Sequence, residues 1–190
     1  EIYIHLIAEE LSRGRDVMVL VPEIVITSQL IERLERIFEG RTTTYHSRLT
    51  PLRRGETFLR LATSAGGELI VGVRSALFLP VNRAGLIIVD EEHDPSYKQV
   101  DPAPRYAARD VAVYMAHAWG IHTLLGSATP SVETYKRALE GEFSLIRMDK
   151  RINKRPLPEI IIADMRREVR RGNNSAFSGA LKEEIEKCLA

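Results

Sequence analysis

The sequence predicts an α/β fold: a mainly parallel sheet with helices on both faces. Two observations predict it. Short apolar runs alternate with longer amphipathic segments along most of the chain, the order that builds a parallel sheet covered on both sides. The most apolar of these runs, Leu86, Ile87, Ile88 and Val89, has three β-branched residues in four positions. It is too short for a helix and reads as a strand buried on both faces.

The elements follow in order. Ile2, Ile4, Leu6, Ile7 and Leu11 interleave with Glu9, Glu10 and Arg13 in a helical pattern that Gly14 ends. No capping residue precedes Glu1, and the chain does not start with Met, so the first turn of this helix is expected to lie upstream. Residues 17–21 form a buried strand stopped by Pro22 and Glu23. Thr27 or Ser28 caps an amphipathic helix to about Glu39, with Leu30, Ile31, Leu34, Ile37 and Phe38 inward, and Gly40 closes it. A weaker strand, 42–45, leads to His46 and Ser47. Thr50 and Pro51 are an N-cap and first-turn pair opening a helix to about Ser64.

Gly66 and Gly67 turn the chain into a strand over 68–73, followed by Arg74, Ser75 and a short Ala-Leu-Phe-Leu segment. After the Leu86 strand come a loop with Pro95, Pro102 and Pro104, a helix over about 106–118, and a strand over 121–125. Ser131 caps a further helix to about Leu139. Residues 147–171 then carry nine Lys or Arg against four Asp or Glu, which places a domain boundary near residue 150. The chain reads as one lobe over 1–150 and a second piece over 151–190. In that piece 158–164 is the predicted strand, 170–175 a loop and 181–189 a short amphipathic helix.

Composition sets limits on function. A hydrophobic content of 44% supplies a real core, and a net charge of +1 selects neither for nor against nucleic acid, so any basic surface is local. The lone Cys188 excludes an intramolecular disulfide or a cysteine zinc cluster within these residues and points to a reducing cytoplasm. No apolar run reaches membrane-spanning length.

The chemistry is expected where the apolar strand ends in Asp90, Glu91, Glu92, His93 and Asp94. Ligands collect at the carboxyl ends of parallel strands. An Asp followed by Glu there suits a phosphate site, where one carboxylate holds Mg²⁺ through water and the other takes a proton from an attacking water. The next strand ends in the small hydroxyl turn Gly126, Ser127, Ala128, Thr129 and Pro130. This pair of strand ends resembles motifs II and III of superfamily 2 helicases. The 94–109 loop interleaves Tyr97, Lys98, Gln99, Arg105, Tyr106 and Arg109; aromatics among cations can stack on bases and neutralise phosphates. Its three prolines argue against a regular element, so the loop is expected to be poorly ordered or idiosyncratically packed without a partner.

Longer matches make the resemblance specific. Val21-Pro22-Glu23-Ile24 with Thr27 and Gln29, His46-Ser47, Gly72 to Pro80, Leu86 to Gln99, Pro104 to Asp110, Leu125 to Tyr135, and Leu157-Pro158-Glu159 with Asp164-Met165-Arg166 resemble the PriA family of replication-restart helicases (primosomal protein N′). The resemblance spans nearly the whole chain and implies a RecA-like first motor lobe, truncated, followed by a connector and the start of the second lobe. It implies an ATP-dependent 3′-to-5′ DNA helicase that uses ATP and Mg²⁺ in primosome assembly. Zinc is implied only in a second-lobe insertion, and a DNA-binding domain before Glu1.

Roles follow residue by residue from the resemblance. Asp90 holds Mg²⁺ through water, Glu91 is the base, and Glu92 with His93 links the nucleotide site to the coupling residues Ser127, Ala128 and Thr129. Pro22, Glu23, Thr27, Gln29, His46, Ser47, Arg74, Tyr97, Lys98 and Arg105 contact DNA. The implied partners are branched or single-stranded DNA, replication-restart proteins and single-stranded-DNA-binding protein, with no membrane. Two departures stand out. No G-x-x-x-x-G-K-S/T occurs in the 190 residues, so the phosphate cradle and its lysine are not among them. Leu52 to Glu56 also differs from the family after His46-Ser47. Another superfamily 2 translocase, or a non-catalytic DNA-binding or interaction module, remains open at this level.

Overall fold

In the computed structural model, which describes residues 2–22, 28–148 and 160–189 and gives residues 28–30 as backbone alone, the chain divides into two units, Glu1–Leu145 and Ile146–Ala190. The first holds five strands in the order β2-β3-β1-β4-β5: β1 (Asp16–Leu20), β2 (Thr42–Tyr45), β3 (Leu69–Gly72), β4 (Ala84–Asp90) and β5 (His122–Gly126). Every pairing is parallel. Parallel strands joined by crossovers end at the same edge of a sheet, so all the segments that follow them share one rim.

Alternate residues of each central strand bury on opposite faces. Val17 and Val19 of β1, Val71 of β3, and Leu86 and Ile88 of β4 pack with Ile7 and Leu11 of α1 (Ile2–Ser12) and with Leu34 of α2 (Ser28–Ile37) and the neighbouring Phe38. Met18, Leu20, Ile70, Ile87 and Val89 face the other way. They pack on Leu61 of α3 (Pro51–Ala62), on Ala76 and Leu77 of a 3-10 helix over Arg74–Phe78, and on Ala108, Ala112 and Met115 of α4 (Ala108–Trp119). Helices therefore cover both faces, as expected. Thr50 caps α3 as its sequence predicts, accepting from the Arg53 amide at 3.3 Å.

The Ala-Leu-Phe-Leu segment falls largely within that 3-10 helix. Gly72 makes its start possible: a Cβ there would lie 2.5 Å from both the Ala76 side chain and the Tyr45 carbonyl. The 94–109 loop, expected to be either poorly ordered or idiosyncratically packed, is packed by its own groups. Asp94 caps a 3-10 helix over Pro95–Tyr97, accepting from the Ser96 amide at 2.8 Å. Lys98 and Ala107 form an antiparallel bridge, and the Gln99 side-chain amide donates to the Pro102 and Pro104 carbonyls at 2.8 and 3.0 Å. The loop's own polar groups replace the regular bonds its prolines deny it.

After β5, Ser131 caps α5 (Val132–Leu139). In the second unit α6 (Met165–Arg170) and α7 (Gly179–Leu189) are described. The predicted 158–164 strand is overturned for its described part: 160–164 has no regular structure, and Ile160 and Ile162 are 83% and 92% exposed. A β-branched run forms a strand only where a neighbouring strand and a core accept it. Asp164 instead caps α6, accepting from the Arg166 amide at 3.0 Å.

Candidate active site

The acidic turn leaves the sheet at the end of β4, where Asp90 stands in register with Gly126 of β5. Two tyrosines fix Asp90. The Tyr3 hydroxyl of α1 donates to its Oδ1 at 2.9 Å, and the Tyr97 hydroxyl donates to its carbonyl at 2.6 Å. Burial first, then the negative charge around Asp90, pushes both phenols far above their ordinary pKa, so they remain neutral donors. Gly126 leaves the room that Tyr3 needs, since a Cβ at that position would collide with its hydroxyl.

Glu91 is the one non-glycine residue with positive φ among those described, at 49°. Its carboxylate is partly exposed and lies 3.6 Å from His93 Nδ1. That same nitrogen lies 2.8 Å from Ser127 Oγ, which also accepts from the Thr129 amide at 3.0 Å. Asp90 and Glu91 thus stand side by side at a strand end, next to a hydroxyl turn.

Glu92 points into the protein and is 3% exposed. Its Oε1 accepts from the Ser131 amide at 2.6 Å. Its Oε2 accepts from Arg109 Nη1 at 3.1 Å, Thr134 Oγ1 at 3.0 Å and Ser131 Oγ at 3.2 Å. Burial alone would raise its pKa; the Ser131 amide, then Arg109 and Thr134, outweigh burial and hold it below the usual carboxylate value. Burial likewise opposes the charge on Arg109, and its bonds to Glu92 and Asp110 more than restore it. The expected link from Glu92 to Ser127 and Thr129 is replaced by this one, to Ser131, Thr134 and Arg109; His93 alone reaches Ser127.

The expected DNA-contacting residues divide. Pro22, His46 and Arg74 follow β1, β2 and β3 on the same rim, and the His46 Nδ1 is buried without a hydrogen-bond partner. Ser47 is exposed, and its carbonyl, like that of Leu49, accepts from the Arg54 guanidinium. Arg74 donates to the Ser96 carbonyl at 2.9 Å, holding the loop's first turn. Lys98 and Arg105 are exposed. Glu23 and Thr27 lie outside the described residues, as does the side chain of Gln29. Tyr97 is a correction: it is 3% exposed, so its ring is part of the core and offers no face to a base. Tyr106 stands just before α4 and packs edge-on against Phe78, the ring centroids 5.0 Å apart.

Among the described residues no group of three or more His, Cys, Asp or Glu is arranged to hold a metal ion. A pair of carboxylates such as Asp90 and Glu91 fits a different mode. Mg²⁺ keeps several waters and is held through one or two carboxylates together with substrate phosphates. No described helix is long and apolar enough to cross a membrane.

Comparison with known proteins places this site in context. Residues 1–138 match the family described as DEAD/DEAH box helicase. The chain is 40% identical over all of its 190 residues to Replication restart protein PriA of Bacillus subtilis (strain 168), of which it covers 23%. Identity is 39% over 96% of the chain with the protein of that name in Synechocystis, and 47% over 72% of the chain with that of Helicobacter pylori (strain ATCC 700392 / 26695). The chain covers 22% of each of these two. It therefore spans under a quarter of the length of these relatives.

Proposed function

Because this chain belongs to the DEAD/DEAH box helicase family, we propose that its carboxylate rim is the Mg-ATP site of a DNA helicase's first motor lobe. The parent we assign to replication restart and primosome assembly, with 3′-to-5′ unwinding of branched or single-stranded DNA. The observation that carries this reading is the pairing of two strand ends: Asp90 in register with Gly126, and His93 bonded to Ser127 one turn further on. A solvated acidic turn has no need of such a partner. The relatives' name, Replication restart protein PriA, supports the cellular role.

In this reading Asp90 holds Mg²⁺ through water, its carboxylate oriented by the Tyr3 hydroxyl. Bound Mg²⁺ would neutralise charge on the phosphate oxygens. Glu91, partly exposed beside it, takes the proton of the attacking water. His93 carries the state of this pair to Ser127, and the turn through Ala128 and Thr129 passes it on. The exposed cations Lys98 and Arg105, with Pro22, Glu23, Thr27, Gln29, His46, Ser47 and Arg74, form the DNA side of the rim. We place the phosphate loop outside these residues, along with the parent's zinc site, and read 151–190 as connector and start of the second lobe. Contacts with restart proteins and single-stranded-DNA-binding protein, and a cytoplasmic location, belong to the same proposal.

The test is ATP hydrolysis by the full-length protein with and without single-stranded DNA. Glu91→Gln is expected to abolish turnover while a non-hydrolysable ATP analogue still binds. Undiminished hydrolysis in that variant would remove Glu91 from its role.

A further inference from the structure

We propose that Arg109 and Thr134 are positioning residues for Glu91, acting through the buried carboxylate of Glu92. The inference rests on reading Glu91 as the base. Its φ of 49° lies in the left-handed region, where the Cβ of an L residue is crowded. Such a conformation persists where its surroundings over-determine it. On one side Asp90 is locked into the sheet against Gly126. On the other, the Glu92 amide donates to the Gly126 carbonyl at 3.0 Å, and the Asp94 amide closes the turn onto the Glu91 carbonyl at 2.8 Å.

Glu92 is the anchor. Both its oxygens are engaged from two helices that do not belong to the turn: Arg109 on α4, and Ser131 and Thr134 at the start of α5. Arg109 Nη1 also donates to Ser131 Oγ at 2.7 Å, so the guanidinium ties the two helices together as well as to the carboxylate. A carboxylate this deeply buried stays charged only because these donors surround it. The Glu91 side chain is gripped by no comparable set of bonds; its ionic partner among the described residues is His93 at 3.6 Å. Its aim therefore comes from the backbone, and the backbone is set by Glu92. Loss of one anchor would let residues 91–92 relax toward an unstrained turn and move the Glu91 carboxylate while leaving Asp90 in the sheet.

The test uses the full-length protein, ATP, single-stranded DNA and a non-hydrolysable ATP analogue. Arg109→Gln is expected to lower kcat by up to about a hundredfold, the scale of a misplacement near 1 Å, with KM and analogue affinity within about twofold. Arg109→Lys should restore part of the loss, since it keeps the charge but not the fork. Thr134→Val should lower kcat by a smaller factor. In the Glu91→Gln background, which does not turn over, Arg109→Gln should still leave analogue affinity within about twofold, whereas a merely structural role would lower that affinity as well. An Arg109→Gln variant that keeps its kcat overturns the proposal. So does a fall in kcat matched by the same fall in affinity. If Arg109→Gln does not fold, unchanged kcat in both Arg109→Lys and Thr134→Val overturns it. A wild-type protein that hydrolyses no ATP would overturn the underlying function and this inference with it, an outcome distinct from active wild type with unaffected variants.

Discussion

The imidazole Nδ1 of His93 lies 2.8 Å from the hydroxyl of Ser127, joining the turn after β4 to the turn after β5. Ser127→Ala removes the hydroxyl and leaves the turn's size nearly unchanged. In the full-length protein it is expected to weaken the stimulation of ATP hydrolysis by DNA several-fold, the scale of one neutral hydrogen bond at about 0.5–1.5 kcal/mol. Affinity for an ATP analogue should hold, because Asp90 is untouched. Equal DNA stimulation in mutant and wild type would leave this pair without a coupling role.

Glu92→Ala should be strongly destabilising. It leaves Arg109 largely buried without its carboxylate and removes acceptors from Ser131 and Thr134. Breaking a buried pair by removing one partner costs about 3–5 kcal/mol. Trp119, the one tryptophan in these residues, ends α4, so its fluorescence during denaturant unfolding reports the unit concerned. A midpoint within experimental error of wild type would show that the network carries no stability.

Gly126→Ala tests the close approach beneath Asp90. The added methyl collides with the Tyr3 hydroxyl, and overpacking of this kind costs about 1–3 kcal/mol. Because the nearest obstacle is the hydroxyl oxygen, Tyr3→Phe in the same chain is expected to recover part of the loss. Destabilisation that the second substitution leaves unchanged would place the clash elsewhere.

The parts of this design that the sequence shows are those built from neighbours. The β4 run and its acidic end read directly, because four apolar residues followed by carboxylates can do little else. Thr50 and Ser131 read as caps, and both cap. What the sequence hides is the second use of a residue. Ser131 also serves Glu92 from 39 positions away, Thr134 from 42 and Arg109 from 17. No local periodicity marks such pairings. Tyr97 misleads for the same reason: beside Lys98 in a proline-rich loop it reads as exposed, yet a 3-10 turn folds it under the sheet edge. The isoleucines at 160–162 mislead in reverse, carrying strand propensity with no strand to pair with among the described residues.

The 190-residue chain by itself is expected to show no measurable ATP hydrolysis. Phosphoryl transfer depends on positioning and charge neutralisation, and no G-x-x-x-x-G-K-S/T lies among these residues. Phosphate release by this purified chain that DNA stimulates and Glu91→Gln abolishes would overturn that reasoning.

The loop after the acidic turn separates into a buried half at Tyr97 and an exposed half at Lys98 and Arg105, and paired substitutions test whether the exposed half meets DNA. Tyr97→Ala removes a buried ring and the bond to the Asp90 carbonyl. Core aromatic truncation costs about 3–5 kcal/mol, so this variant should lose stability before it says anything about DNA. Tyr97→Phe keeps the ring and loses only the hydroxyl, at a smaller cost. Lys98 and Arg105 are exposed, and Lys98→Ala with Arg105→Ala should leave stability nearly unchanged. In the full-length protein that pair should raise the DNA concentration needed for half-maximal ATPase stimulation. The slope of log affinity against log salt should fall by roughly 0.7 for each single-strand phosphate that the two cations no longer neutralise. An unchanged slope would make both cations ordinary solvated charges and leave the loop as a connector pinned by Tyr97.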